Sequence, residues 1–303
     1  MVAVLIRRLF AVWLAVTVTF FALRLTAYDA LTAQLTDVGA NPDLIEQRRQ
    51  EYGLDQPLLL QYLNYLSQLG RGDLGMSLAR QLPVSFILGE AMGSTFALAV
   101  PALILATLVG ILIGITAAFR NIISWLARLW IGLSISTPPY WTGTLAIFIF
   151  SASLHWLPSS SADDVRHLIL PVGVLTFHTS GGIARVVQSG IIQTQSADFI
   201  RTARAKGLPE RLILFRHILR VGLLPVIAVI GLQTGFVLGG TVVTEILFLR
   251  PGLGRVLLDA TLRRDYPVVQ AVVLLSAILY TSLSMVTDFI SRLLDPRIRY
   301  EAR

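Results

Sequence analysis

Residues 94–118 read STFALAVPALILATLVGILIGITAA, twenty-five positions without one charged side chain. A helix rises about 1.5 Å per residue, so roughly 20 such residues cross the hydrocarbon core of a bilayer. Outward from this stretch, a span-length window finds five more candidates, at about 9–27, 127–154, 168–191, 222–245 and 268–291. In lipid every backbone N–H and C=O must be satisfied internally, which helices achieve on their own. The expected fold is therefore all-α: a polytopic membrane protein with six transmembrane helices.

Composition points the same way. Apolar residues make up 54% of the chain and charged residues 14%, with a mean hydropathy of +0.70, whereas a soluble domain has about 45–50% and about 25%. The 303 residues accommodate six spans and one substantial loop. Cysteine is absent, which excludes disulfides and thiolate chemistry.

The formal charge is +7, carried almost wholly by arginine, with Lys206 the one lysine. No aromatic-basic repeat or zinc spacing accompanies it, so nucleic acid is not an expected partner and membrane lipid is. With both termini assigned to the cytoplasm, fourteen basic residues fall inside and nine outside, the orientation that the positive-inside rule favours. Four of the nine, Arg250, Arg255, Arg263 and Arg264, crowd the last external loop. Arg7 and Arg8 followed by Leu9 to Leu23 read as a retained first span, the apolar stretch being long for a secretory signal.

Two loops are long. Residues 28–93 contain Pro42, Asp43 and Glu46, then Tyr62, Leu63, Tyr65 and Leu66 at helical spacing, and end in the turn-rich Gly70 to Gly75. They read as a small folded external element. Residues 192–221 form a basic internal loop, in which Ser196 is placed to cap a helix through Lys206. Gly207 is placed to end it in a left-handed turn, and Pro209 to begin a second helix reaching about Arg220. Small residues at Thr202, Ala203 and Ala205 suit close approach by a partner, and Arg201, Arg204 and Lys206 suit anionic lipid equally well. Composition leaves both open.

Asp198-Phe199-Ile200-Arg201-Thr202-Ala203-Arg204-Ala205-Lys206-Gly207-Leu208, with Arg216-His217 and Leu224-Pro225, resembles the coupling loop of dipeptide, oligopeptide and nickel ABC permeases. The blocks Gly53 to Pro57, Gly72 to Gly75, Pro251 to Arg255, Asp265 to Gln270 and Asp295 to Arg297 look like family blocks in family order. There are departures. Arg201-Thr202-Ala203 stands where the general permease loop begins Glu-Ala-Ala, and Thr26 to Leu31 stands where many relatives carry a Pro-Gly-Asp-Pro turn.

The resemblance implies one permease subunit of an ATP-driven importer. It would pair with a second homologous permease, two cytoplasmic ATPases and an external binding protein, in the inner membrane, and carry peptides or related solutes such as a nickel chelate or glutathione. Asp198, Arg201, Thr202, Ala203, Arg204, Ala205, Lys206, Gly207 and Leu208 would be the ATPase-coupling residues. The implied organisation is 1–27 for the N-terminus and first span, 28–93 for the external element and 94–303 for the permease core with its coupling loop at 192–221. No cofactor is expected on this chain. ATP and Mg are assigned to the partners, consistent with the lack of a Gly-x-x-x-x-Gly-Lys-Ser/Thr loop here.

Polar groups and small residues within spans are the candidates for a substrate path or gate: His178, Gln233, Gly235, Gly239 and Glu245. Gly231, Gly235 and Gly239 stripe one helical face, which suits either a seam with another permease or packing inside the subunit. His178 has three readings, as packing residue, path residue or metal ligand. Pro138 and Pro139 are expected to break or kink the third span. An enzyme is not expected, since no His-Glu-x-x-His, Gly-x-Ser-x-Gly or cysteine site exists. A secondary carrier or channel acting without ATPases would call for ionisable residues at the bilayer centre, and none is evident.

Overall fold

The computed structural model describes residues 2–25, 32, 41–51, 53–119, 122–160 and 165–294. Thr26 to Leu31 and Asp295 to Arg297 lie outside them, so those two sequence blocks have no structural account. The helices are α1 (Val2–Leu25), α2 (Pro42–Glu51), α3 (Leu58–Gly70), α4 (Val84–Ala118), α5 (Ile122–Ser136), α6 (Pro139–Ala146), α7 (Ile169–Gln195), α8 (Asp198–Ala205), α9 (Glu210–Gly222), α10 (Leu224–Leu247), α11 (Leu253–Leu262) and α12 (Tyr266–Leu294). Among the described residues there is no strand, only an isolated bridge between Met76 and Pro83. The fold is all-α.

Among the described residues, four helices are long and apolar enough to cross a membrane: Ile6–Leu25, Val84–Ala118, Val165–Gln195 and Tyr266–Ile290. Glu210–Gly222 and Leu224–Val237, bent by 45°, are apolar enough only when taken together, as a broken span or a re-entrant loop. Pro225 explains the break, because it lacks the N–H that would bond back to Val221. The third expected span, 127–154, is not one helix. α5 stops at Ser136, and Pro138 is extended (φ −70°, ψ 139°) because Pro139 clashes with a helical residue before it. α6 then starts afresh and passes into π-helical turns over Ile147–Ser153. Pro101, by contrast, is accommodated inside α4.

The chain forms two compact units. The first comprises Met1–Ser94 and Pro251–Thr281. Its core brings together Val84, Ile87, Leu88, Val256, Val268 and Val272. On α1, Phe20 stacks on Tyr65 and meets Tyr62 edge-on, and Thr17 bonds the Tyr62 hydroxyl at 2.7 Å. The helical spacing of Tyr62 and Tyr65 thus serves to pack α3 on α1.

Asp265 ties down the segment after α3. It is 2% exposed, and its carboxylate accepts from Ser77 Oγ at 2.5 Å, Leu78 N at 3.1 Å and Ala79 N at 3.2 Å. Gly72 and Gly75, both at φ +77°, make the turns that deliver this segment, and Asp73 Oδ1 accepts from Gly75 N.

The second unit comprises Thr95–Arg250 and Ser282–Arg303. α7 is its axis: its span is 61% buried, against 11 to 28% for the other three spans. Close approach comes from glycine. A Cβ on Gly110 would lie 2.8 Å from the Ile183 side chain, and one on Gly114 would lie 2.5 Å from Val187, so α4 rests almost directly on the α7 backbone. Gly190 and Gly222 meet backbone to backbone in the same manner. At the end of α4, the carbonyl of Ala117 accepts from Gln188 at 3.2 Å and Arg128 at 3.4 Å, which satisfies a helix-end acceptor.

Gly114→Leu is expected to destabilise the second unit by roughly 1–3 kcal/mol or more through overpacking. Gly132→Leu, at a glycine with open space around it, is expected to be mild. Thermal unfolding of the detergent-purified protein separates them, and equal melting temperatures would refute the α4–α7 contact. Asp265→Ala should leave the Leu78 and Ala79 amides without their acceptor, at roughly 1–3 kcal/mol each. Limited proteolysis should then cut within 71–83 faster than in the parent.

Candidate functional site

The basic loop folds as expected in outline, with two local differences. α7 ends at Gln195, and Ser196 closes that helix by donating to Gln193 O at 2.8 Å, so it does not cap α8. Ala197, in extended conformation, precedes α8 with no side-chain cap, and Asp198 in the first turn faces the positive helix end. Gly207 is left-handed at φ +76°, as its position implied. Its N–H reaches Arg204 O at 2.9 Å, and Leu208 N reaches Ala203 O at 3.3 Å. Pro209 is extended and stands just ahead of α9 instead of within its first turn.

One ion pair braces the turn. Arg204 Nε donates to Glu210 Oε1 at 2.7 Å and Nη2 to Oε2 at 3.4 Å. The same hydrogen bonding holds the Glu210 carboxyl below the usual carboxylate range and raises the Arg204 guanidinium. Both groups are exposed, so the bridge orients the turn more than it stabilises the fold.

α8 has two faces. Ile200 is fully buried and Ala203 is 7% exposed, both packed with Val187, Ile191 and Ile213. Ala203, grouped by sequence with the surface open to a partner, instead seats α8 on the chain's own core. A period of 3.6 residues makes this geometrically necessary, since the positions at 200 and 203 share a face. Asp198, Phe199, Arg201, Thr202, Arg204, Ala205, Lys206 and Gly207 are exposed, and Leu208 is half-buried.

Around His178 lies a buried polar seam. Its Nδ1 is 2.9 Å from Ser134 O, and since a carbonyl only accepts, this nitrogen carries a proton. Nε2 is 2.7 Å from Thr142 Oγ1, which also reaches Pro139 O at 3.0 Å. His178 thus bridges the broken α5–α6 pair to α7. Trp130 Nε1 donates to Ser180 Oγ at 3.0 Å, and the fully buried Thr179 hydroxyl has no partner among the described residues. Among the described residues no cluster of three or more metal-ligating side chains forms.

The α10 candidates separate. Gln233 lies against Gly182 of α7, where a Cβ would collide with its Nε2. Gly231 packs inside the subunit, with Thr287 in the room its side chain would need. Gly235 is half-buried, whereas Gly239 is exposed with nothing within 4 Å. Glu245 is fully buried and accepts from Thr95 Oγ1 at 2.6 Å. Arg250 is 6% exposed, and burial lowers its guanidinium against the opposing charge of Glu245. Sequence reading passed over Trp130, Thr142 and the Gly110/Gly114 pair. The pair alone carried a visible signal, small residues four apart in an apolar span.

Comparison with known proteins places this geometry. Residues 110–300 match the family described as binding-protein-dependent transport system inner membrane component. The glutathione transport system permease protein GsiC of Salmonella typhimurium LT2 is 40% identical over 266 residues, covering 86% of each chain. GsiC of Escherichia coli K12 is 38% identical over the same length. Among solved structures, the inward-facing MetNI methionine ABC transporter aligns with a TM-score of 0.60 at 16% identity, over 69% of this chain and 97% of that one. An amino acid ABC transporter aligns with a TM-score of 0.54 at 15% identity, over 70% and 94%. The chain therefore belongs to the binding-protein-dependent inner membrane component family: it is a multi-pass inner-membrane permease subunit of an ABC importer, and not an enzyme.

Proposed function

We propose that the chain forms half of a translocation pathway for small peptides, with glutathione-like tripeptides foremost and nickel chelates as a related class. The 40% identity to permeases named for glutathione transport supports this substrate class. The complex would hold a second homologous permease, two cytoplasmic ATPases that bind ATP and Mg, and an external binding protein. Both termini would lie in the cytoplasm and 28–93 outside, with 1–27 as the entry span and 94–303 as the core.

The observation that carries the coupling role is the division of α8. Ile200 and Ala203 lock it to α7, while Phe199, Arg201, Thr202, Ala205 and Lys206 stay exposed. An ATPase seated on the exposed face would push α8, and α7 would move with it as a rigid element. Asp198, Arg204, Gly207 and Leu208 shape the same device, and Ala203 acts from its inner side. The path or gate would run by His178, Gln233 and Glu245, with Gly235 and Gly239 giving a face of α10 to the second permease.

Ala205→Trp is expected to abolish ATPase association and uptake while the melting temperature stays parental. Ala203→Trp should instead lower the melting temperature, because overpacking a buried site costs about 1–3 kcal/mol. Pull-down of the ATPases, uptake in vesicles and thermal unfolding decide between them. If Ala205→Trp keeps parental association and uptake, α8 is not the seat.

A further inference from the structure

The first unit contains a cavity of about 610 Å³ between α1, α3, the turn at 71–78 and the start of α12. That volume falls within the range of small-ligand sites, roughly 300–1,000 Å³. Its wall is unlike the interior of an apolar helical unit. Six amide side chains line it, among them Gln50, Gln56, Asn64 and Gln68. Among the described residues it also has two arginines, Arg24 and Arg71, and one carboxylate, Asp73. The balance favours a ligand with negative charge, and the amides supply donors and acceptors together, which suits peptide groups better than an apolar solute.

Two residues of this wall are unfinished. Neither the Tyr65 hydroxyl nor Gln270 Nε2 has a hydrogen-bond partner among the described residues, although both atoms are buried and Gln270 is 5% exposed. Leaving a buried donor unpaired is costly, and native structures seldom do it without a reason. Here two such groups, contributed by α3 and α12, share one cavity. Burial pushes the Tyr65 phenol up to about 12, against the opposing charge of Arg24, so it stays protonated and able to donate at neutral pH. Arg24 is held nearby, its guanidinium 3.7 Å above the Phe20 ring and its Nε donating to Gln61 at 3.0 Å.

We infer that this cavity is a solute site in the permease itself: it receives a small peptide-type carboxylate, with Tyr65 and Gln270 donating hydrogen bonds and Arg24 supplying charge. The inference rests on the proposed substrate class for the identity of the solute, while the existence of a carboxylate site stands on the cavity. It is a binding step distinct from capture by an external binding protein.

The test uses the assembled transporter in nanodiscs, without binding protein, titrated calorimetrically with tri-alanine and with its C-terminal amide. The parent is expected to bind tri-alanine, and amidation should weaken binding about tenfold or more, as should Tyr65→Phe and Gln270→Met individually, since each removes a hydrogen bond to a charged group. Because the Tyr65 hydroxyl has no partner among the described residues, Tyr65→Phe should also melt at or above the parental temperature without ligand. A hydroxyl with only a structural role would give the opposite shift. The inference is overturned by absence of tri-alanine binding to the parent, by parental affinity in both variants, or by equal affinity for acid and amide. It is likewise overturned if the variants weaken only association of the loaded binding protein, which would make the cavity a docking surface. Uptake of tri-alanine by the parent with its binding protein is measured in parallel. Failure of uptake alone removes the substrate class, whereas the carboxylate site stands or falls with the titration.

Discussion

Close backbone approach to α7 is the constraint on which the second unit depends. In lipid, apolar side chains gain little by meeting one another, so helices associate through tight packing and polar contacts. Gly110 and Gly114 bring α4 onto α7, and Gly222 meets Gly190 backbone to backbone. Gly182 leaves room for Gln233 and Gly181 for Ser134. Once α7 is fixed by these contacts, its polar side chains have little freedom, and His178 is held between Ser134 and Thr142. The polar seam follows from the glycines.

The first unit solves a different problem. Its segment after α3 has little regular structure, and its backbone groups need partners that helices would otherwise supply. Asp265 provides them from a distance of almost two hundred residues in sequence, binding Ser77, Leu78 and Ala79. The glycines at 72 and 75 make the turn, and Asp265 holds its far end. Two sequence blocks far apart in the chain are thereby parts of one structure.

Much of this was legible beforehand. Apolar runs the length of a bilayer marked four of the six expected spans as long helices, and the left-handed Gly207 and the Pro138-Pro139 break followed from local sterics. Ala203 and Ser196 were misread for one reason: which way a side chain faces depends on what a neighbouring helix offers. Ile200 and Ala203 found the core of α7, and Ser196 turned back to Gln193. Glycine patterns show a similar limit. Gly231 and Gly239 belong to one stripe, yet only tertiary packing puts Thr287 beside the first and open space beside the second. The cavity beside Tyr65 was invisible because its lining residues come from four separate stretches of chain.

The brace between Arg204 and Glu210 has a further consequence. Both partners are exposed, so counterions reach them, and at physiological ionic strength charges are screened over about 8 Å. A strut of this kind stiffens the α8–α9 elbow by an amount set by the surrounding electrolyte, unlike the buried anchorage at Ile200. The elbow therefore joins a joint insensitive to salt to one that softens in it. The rigidity of that elbow becomes a property of the surrounding ionic composition as well as of the fold.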